Sequence, residues 1–155
     1  MVVVKRNAWI LAAVLAASTS ACSGAGATEP AAAPPASVVA VAGSPVPAVH
    51  LTAEAESRLG IATAPARLSL VAPLNGGKAT TRLVIPYAAV VYDRDGSSWT
   101  YTRTSDHMYL RKPITVDYVS GAVAVLSKGP AAGTPVVTVG SPELLGVEYN
   151  ISGEE

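Results

Sequence analysis

Few residues of this chain have side chains suited to acting on a substrate, and their spacing argues against it. Asp93-Arg94-Asp95 opens in the manner of a calcium-binding loop. Such a loop needs glycine at its sixth position and a bidentate glutamate at its twelfth, where this chain has Ser98 and Thr104. Asp93 to Gly96 therefore reads as a hairpin turn. His50 and His107 are far apart in sequence, and Met108 is the only methionine besides Met1. Each histidine reads as exposed or satisfied within the fold rather than as a metal ligand. There is no nucleophile elbow, phosphate loop or paired His–carboxylate motif. The sequence thus offers no catalytic residue, no metal site and no cofactor site, and the expectation is a protein that is not an enzyme.

One residue does suggest chemistry, through its position. Cys22 is the only cysteine of the 155 residues, which leaves no intramolecular disulfide and no cysteine-based zinc cluster. It follows a positive pair, Lys5-Arg6, then an apolar run from Ala8 to Ala17 and the small residues Ser18 to Ala21. This is the layout of a secretory signal peptide over 1–21, with an apolar stretch too short to span a bilayer core of roughly 30 Å. The residues before Cys22 resemble the lipobox of bacterial lipoproteins, although Thr19 stands where leucine is usual. That resemblance implies lipidation at Cys22, including a palmitate-type acyl chain, and attachment to the extracytoplasmic face of the cell membrane. In an envelope with two membranes that face is periplasmic. Cleavage near Ala25-Gly26-Ala27, or retention of the segment as an uncleaved anchor, are the alternatives. Two or more acyl chains make a firm anchor, at about 0.8 kcal/mol per buried methylene.

The segment 22–47 beyond the cysteine is mostly Ala, Pro, Gly, Ser and Val, a composition that buries little and reads as a disordered tether. Val38 to Val41 has strand character but is bracketed by turn-formers, so it is read as part of that tether. Removing the first 21 residues leaves nine basic against eleven acidic side chains, a net charge of −2. A slightly acidic domain with scattered charges has no electrostatic footprint for nucleic acid.

The folded part spans 48–150, with 151–155 as a solvated tail. Ala48 to Leu51 reads as a strand. Thr52 can cap a short helix to about Arg58, with Glu54 and Glu56 favouring its N-terminus and Gly60 ending it. Beyond Gly60 the signals are β: strands over Ile61–Ala72, Thr81–Tyr92, Ser98–Arg103, Met108–Val116, Ala122–Leu126 and Val136–Val139, separated by turn-formers. The fold class expected is mainly β, a small antiparallel barrel or roll with one short helix. Pro86 and Pro113 each remove a ladder donor and should lie at bulges, strand starts or edges. With no phenylalanine, the core should be Val, Leu and Ile, with Trp99 buried as its anchor.

The order of these segments carries a second resemblance. Leu51-Thr52-Ala53-Glu54 and Leu59-Gly60-Ile61-Ala62-Thr63-Ala64-Pro65 are similar to the start of periplasmic adaptor subunits (membrane fusion proteins) of RND-type efflux pumps. Val84-Ile85-Pro86 with Ala88-Ala89-Val90, Asp93 to Gly96 before Trp99-Thr100-Tyr101, and Arg111 to Val116 resemble their membrane-proximal domain. Gly129, Gly133, Val136-Val137, Gly140 and Leu144 fall at the family's spacing for the closing strands. Asp117 and Pro130 depart from its usual glycine and leucine. In full adaptors a lipoyl-like domain, a helical hairpin and a β-barrel separate the two halves. Here only Leu74 to Arg82 does so. The resemblance implies an adaptor reduced to its membrane-proximal domain, a membrane-bound binding module for an efflux transporter of RND or ABC type. The alternative is a free-standing envelope lipoprotein using the same β fold for ligand or cell-wall binding.

Overall fold

The computed structural model describes residues 33–150. The expected signal peptide, Cys22, the first part of the tether and the 151–155 tail lie outside the described residues. The chain runs β1 (Ala36–Val39), β2 (Ala48–Leu51), α1 (Ala53–Leu59), β3 (Ala62–Pro65), β4 (Arg67–Val71), β5 (Thr80–Pro86), a 3-10 turn (Tyr87–Ala89) and β6 (Val91–Tyr92). It continues through β7 (Ser98–Ser105), β8 (Met108–Pro113), β9 (Thr115–Ser120), β10 (Val123–Lys128), β11 (Pro135–Val139) and α2 (Ser141–Glu148). The protein is mainly β, built on two antiparallel sheets that do not close into a barrel. One sheet has seven strands in the order β1-β2-β8-β7-β11-β3, with β6 also paired to β7; the other has four, β4-β5-β10-β9.

Three strands expected to be long are each divided between the two sheets, and a proline sits at every division. Ile61–Ala72 becomes β3 and β4 around Pro65, Thr81–Tyr92 becomes β5 and β6 after Pro86, and Met108–Val116 becomes β8 and β9 at Pro113. Proline has no N–H for the ladder, so pairing lapses there and the chain is free to turn from one sheet to the other. At the first corner the backbone of Ala66 is satisfied by the loop before β11: its N–H donates to Thr134 (2.8 Å) and its carbonyl accepts from Gly133 (2.7 Å).

The corners stack the sheets. Val49, Leu51, Tyr101, Tyr109, Val137 and Leu144 form one buried cluster, against which Leu59 of α1 and Leu145 and Val147 of α2 pack. Ala66, Ile85, Ala89, Ile114, Leu126 and Val136 form another. Adjacent strand residues point to opposite faces, so Val136 and Val137, both fully buried, place β11 between the two cores. Helices cover one face of the larger sheet, and the smaller sheet covers the other.

Helix α1 forms as its sequence dictates. The Thr52 hydroxyl accepts from the Ala55 N–H (3.1 Å), and Gly60 ends the helix at φ 61°, a conformation glycine adopts at little cost. Three expectations need correction. The end of the presumed tether is strand: β1 pairs antiparallel with all of β2, Ala36 opposite Leu51. Two helices are present rather than one, because Pro142 opens α2 after Gly140. Trp99 is half-buried rather than an anchor of the interior; the buried aromatic residues are Tyr101 and Tyr109.

Candidate functional site

Two clusters of polar side chains hold the helices in place. On β8, Arg111 forms an ion pair with Glu148 of α2 at 2.8 Å, with side chains only 6% and 3% exposed. The Tyr101 hydroxyl donates to Glu148 (2.6 Å), and Arg111 donates to the Tyr149 hydroxyl (3.3 Å) while lying over the Trp99 ring at 4.3 Å. Burial, the Glu148 hydrogen bond and its negative charge push the Tyr101 phenol far above its ordinary range. Burial works against the Arg111 charge, but Glu148 and the two tyrosines hold its pKa above the usual value. Trp99 in turn donates through Nε1 to Asp93 (2.8 Å). Asp93 also accepts from the Asp95 and Ser97 N–H groups, so the Asp93–Gly96 segment is the turn joining β6 to β7. Glu148 and Asp93 are thus each held by a cation or by hydrogen-bond donors within the fold.

The second cluster ties α1 to the β7–β8 turn. Glu56 accepts from His107 and pairs with Arg103 at 3.5 Å, and Arg103 also reaches Asp106 at 3.6 Å. Burial opposes ionisation of Glu56, yet the polar groups of His107 and Tyr109 and the charge of Arg103 hold its carboxyl below the usual range. The Tyr109 hydroxyl is buried without a partner at hydrogen-bond geometry. Burial and the neighbouring Glu56 push its pKa up to about 12. His107 adopts φ 59°, uncommon for a residue with a side chain, in the tight turn between β7 and β8, and its side chain contacts Glu56. His50, distant in sequence, lies on β2 opposite Met108, one residue from His107. Among the described residues no group of three or more His, Cys, Asp or Glu is placed to hold a metal ion.

Two other surfaces are open to binding. One is a cleft of about 330 Å³, lined by Thr102, Arg103, Lys112, Pro113, Gly129 and Thr134, the lower end of the size range of ligand sites. Its hydroxyls are partly committed, since Thr102 donates to the Leu110 carbonyl (3.1 Å). The other is the β4–β5 hairpin. Leu68 and Leu70 of β4 are 62% and 70% exposed, and Leu74 in the link beyond it is 75% exposed; the outer edge of β4 pairs with nothing among the described residues. No side chain of this hairpin stood out in the sequence as a site residue. An apolar–polar alternation, Leu68-Ser69-Leu70, was its only signal, and that pattern reads as ordinary burial. Cys22, the one residue assigned a modification, is outside the described residues. No family model matches the chain, and comparison with the curated proteins finds no match.

Proposed function

We propose that this protein is a reduced periplasmic-adaptor module: a lipid-anchored, extracytoplasmic binding domain that attends an efflux transporter. The observation that carries the reading is the junction between β4 and β5. Adaptors of this family build their membrane-proximal domain from both ends of the chain, and their large insertion leaves and returns at one place. In this chain Arg67–Val71 pairs antiparallel with Thr80–Val84 in an unbroken register. The remaining residues of the link, 72–79, include Asn75-Gly76-Gly77, with Gly76 at φ 74°. The two halves are thus neighbours without the insertion, β2 pairs with β8, and β3 pairs with β11. The mechanism is positional: an anchor at Cys22 raises the local concentration at the membrane, and the β domain selects the partner.

The test is recovery of the full chain from detergent-solubilised membranes after in-cell cross-linking. A transmembrane transporter subunit among the cross-linked products is the expected result, and its absence sinks the reading. Cys22→Ser should move the protein out of the membrane fraction or leave it unprocessed, as read by fractionation and intact mass. A second reading, a free-standing envelope lipoprotein that binds a ligand, draws support from the Arg103–Lys112 cleft. In that case cell-wall fragments or a small molecule should co-purify without any transporter.

A further inference from the structure

Free strand edges are templates for pairing, and folded proteins blunt them with proline, charge, bulges or brevity. This domain blunts all but one of the edges among its described residues. Strand β1 has four residues and follows Pro34-Pro35; β6 has two; β3 ends in Pro65. Strand β9 is broken by two register shifts against β10 and carries Asp117, paired with Arg82. Strand β4 has no proline and no bulge against β5, and its one charge is at its first residue. Alternate side chains on it, Leu68 and Leu70, stand in solvent, and Leu74 extends the apolar surface towards the hairpin tip.

We infer that β4 is a self-association edge, pairing antiparallel with β4 of a second copy about a twofold axis at Ser69. The sequence Arg67-Leu68-Ser69-Leu70-Val71 is self-complementary in that register. Leu68 faces the second copy's Leu70 and Leu70 its Leu68, which gathers four exposed leucines into one patch on one face of the joined sheet. Arg67 falls opposite Val71, so the two cations are held roughly 13 Å apart along the strands, beyond the screening length of about 8 Å. A parallel arrangement would set Arg67 beside Arg67. The contact joins two four-stranded sheets into one of eight and satisfies the bare backbone groups of both edges. The leucines offer on the order of a few hundred Å² per copy, short of the ~800 Å² per partner of a standard stable interface. The association is therefore weak and concentration-dependent. It does not depend on the transporter reading.

Disulfide trapping in the full chain tests the register. Directly opposed residues of an antiparallel pair have Cα atoms about 4.5–5.5 Å apart, within disulfide reach. Ser69→Cys should give a 69–69 disulfide, identified by peptide mass so that Cys22 does not confuse the result. Ser97→Cys, an exposed turn position, should not give its equivalent. Mixed Leu68→Cys and Leu70→Cys proteins should form 68–70 links in preference to 68–68 or 70–70. Adding Leu70→Lys to Ser69→Cys should lower the 69–69 yield about tenfold, because like charges are brought close to the axis. An unchanged melting midpoint will show that the variant is folded, and Leu70→Gln serves as an uncharged second variant. Trapping no greater than for Ser97→Cys, links without preference for 68–70, or indifference to both Leu70 variants would overturn the inference. So would in-cell capture of a different protein by the Ser69→Cys variant in place of a second copy.

Discussion

The two ends of this domain solve opposite problems. Around α2, a charged pair is buried and every strong donor and acceptor of Arg111 and Glu148 except Arg111 Nε is engaged. Around β4, apolar side chains and backbone are left in solvent. The polar end, which offers more functional groups, has most of them committed to partners within the fold. The apolar end has few groups and all of them are free. Titratable side chains in a small protein are therefore a poor guide to its working surface when they are committed to holding a helix.

This contrast is open to mutation. The largest effect is expected at Glu148. Glu148→Ala leaves Arg111 charged and unpaired in the interior and should cost about 3–5 kcal/mol in chemical denaturation. The double variant Arg111→Met/Glu148→Leu should recover much of that loss, since it removes both charges. Next is Gly140, at φ 89°, where a Cβ would run into the Ile61 side chain. Gly140→Ala combines backbone strain with overpacking and should cost about 2–4 kcal/mol, read as a lower denaturation midpoint.

A smaller effect concerns pH. Because Glu56 is held below its ordinary pKa of 4.5 in the folded protein, its contribution is complete above that value. It fades as pH falls through the depressed folded value, where the carboxylate takes a proton. Glu56→Gln should cost about 1 kcal/mol near neutrality and flatten the stability profile on the acid side of pH 4.5. The smallest effect on folding belongs to the hairpin. Leu68→Lys and Leu70→Lys should shift stability by no more than about 0.5 kcal/mol, as exposed substitutions do. A large loss there would mean that these leucines belong to a core, and the comparison between the two ends would collapse.

Much of the architecture was legible from local signals. Thr52 and Gly60 bounded α1 because a cap and a stop act within a few residues. The turn-formers located nearly every hairpin. Sheet membership was not legible: nothing in Ile61–Ala72 says that one half joins β11 and the other β5. The clue was present in Pro86 and Pro113, which read as marks of irregularity, and in Pro65, which drew no reading; all three are the corners between sheets. Helix α2 stayed hidden for another reason. Gly146 interrupts it and no apolar stripe runs along it; it is secured by Leu144, by the flanking Leu145 and Val147, and by a salt bridge from a strand 37 residues earlier in the chain. Strand β1 was missed because its partner, β2, supplies the order that its own Ala- and Pro-rich surroundings lack. The hairpin edge was equally silent, since an exposed leucine and a buried one look alike in a sequence.

Strand β11 has a bearing on how the domain comes apart. Val136 belongs to the core between the sheets and Val137 to the core beneath the helices, and the two share a peptide bond. Neither core can open while the other keeps its grip on that strand. Amide hydrogens of β11 should exchange only through complete unfolding, and both cores should melt in one transition rather than as separate foldons.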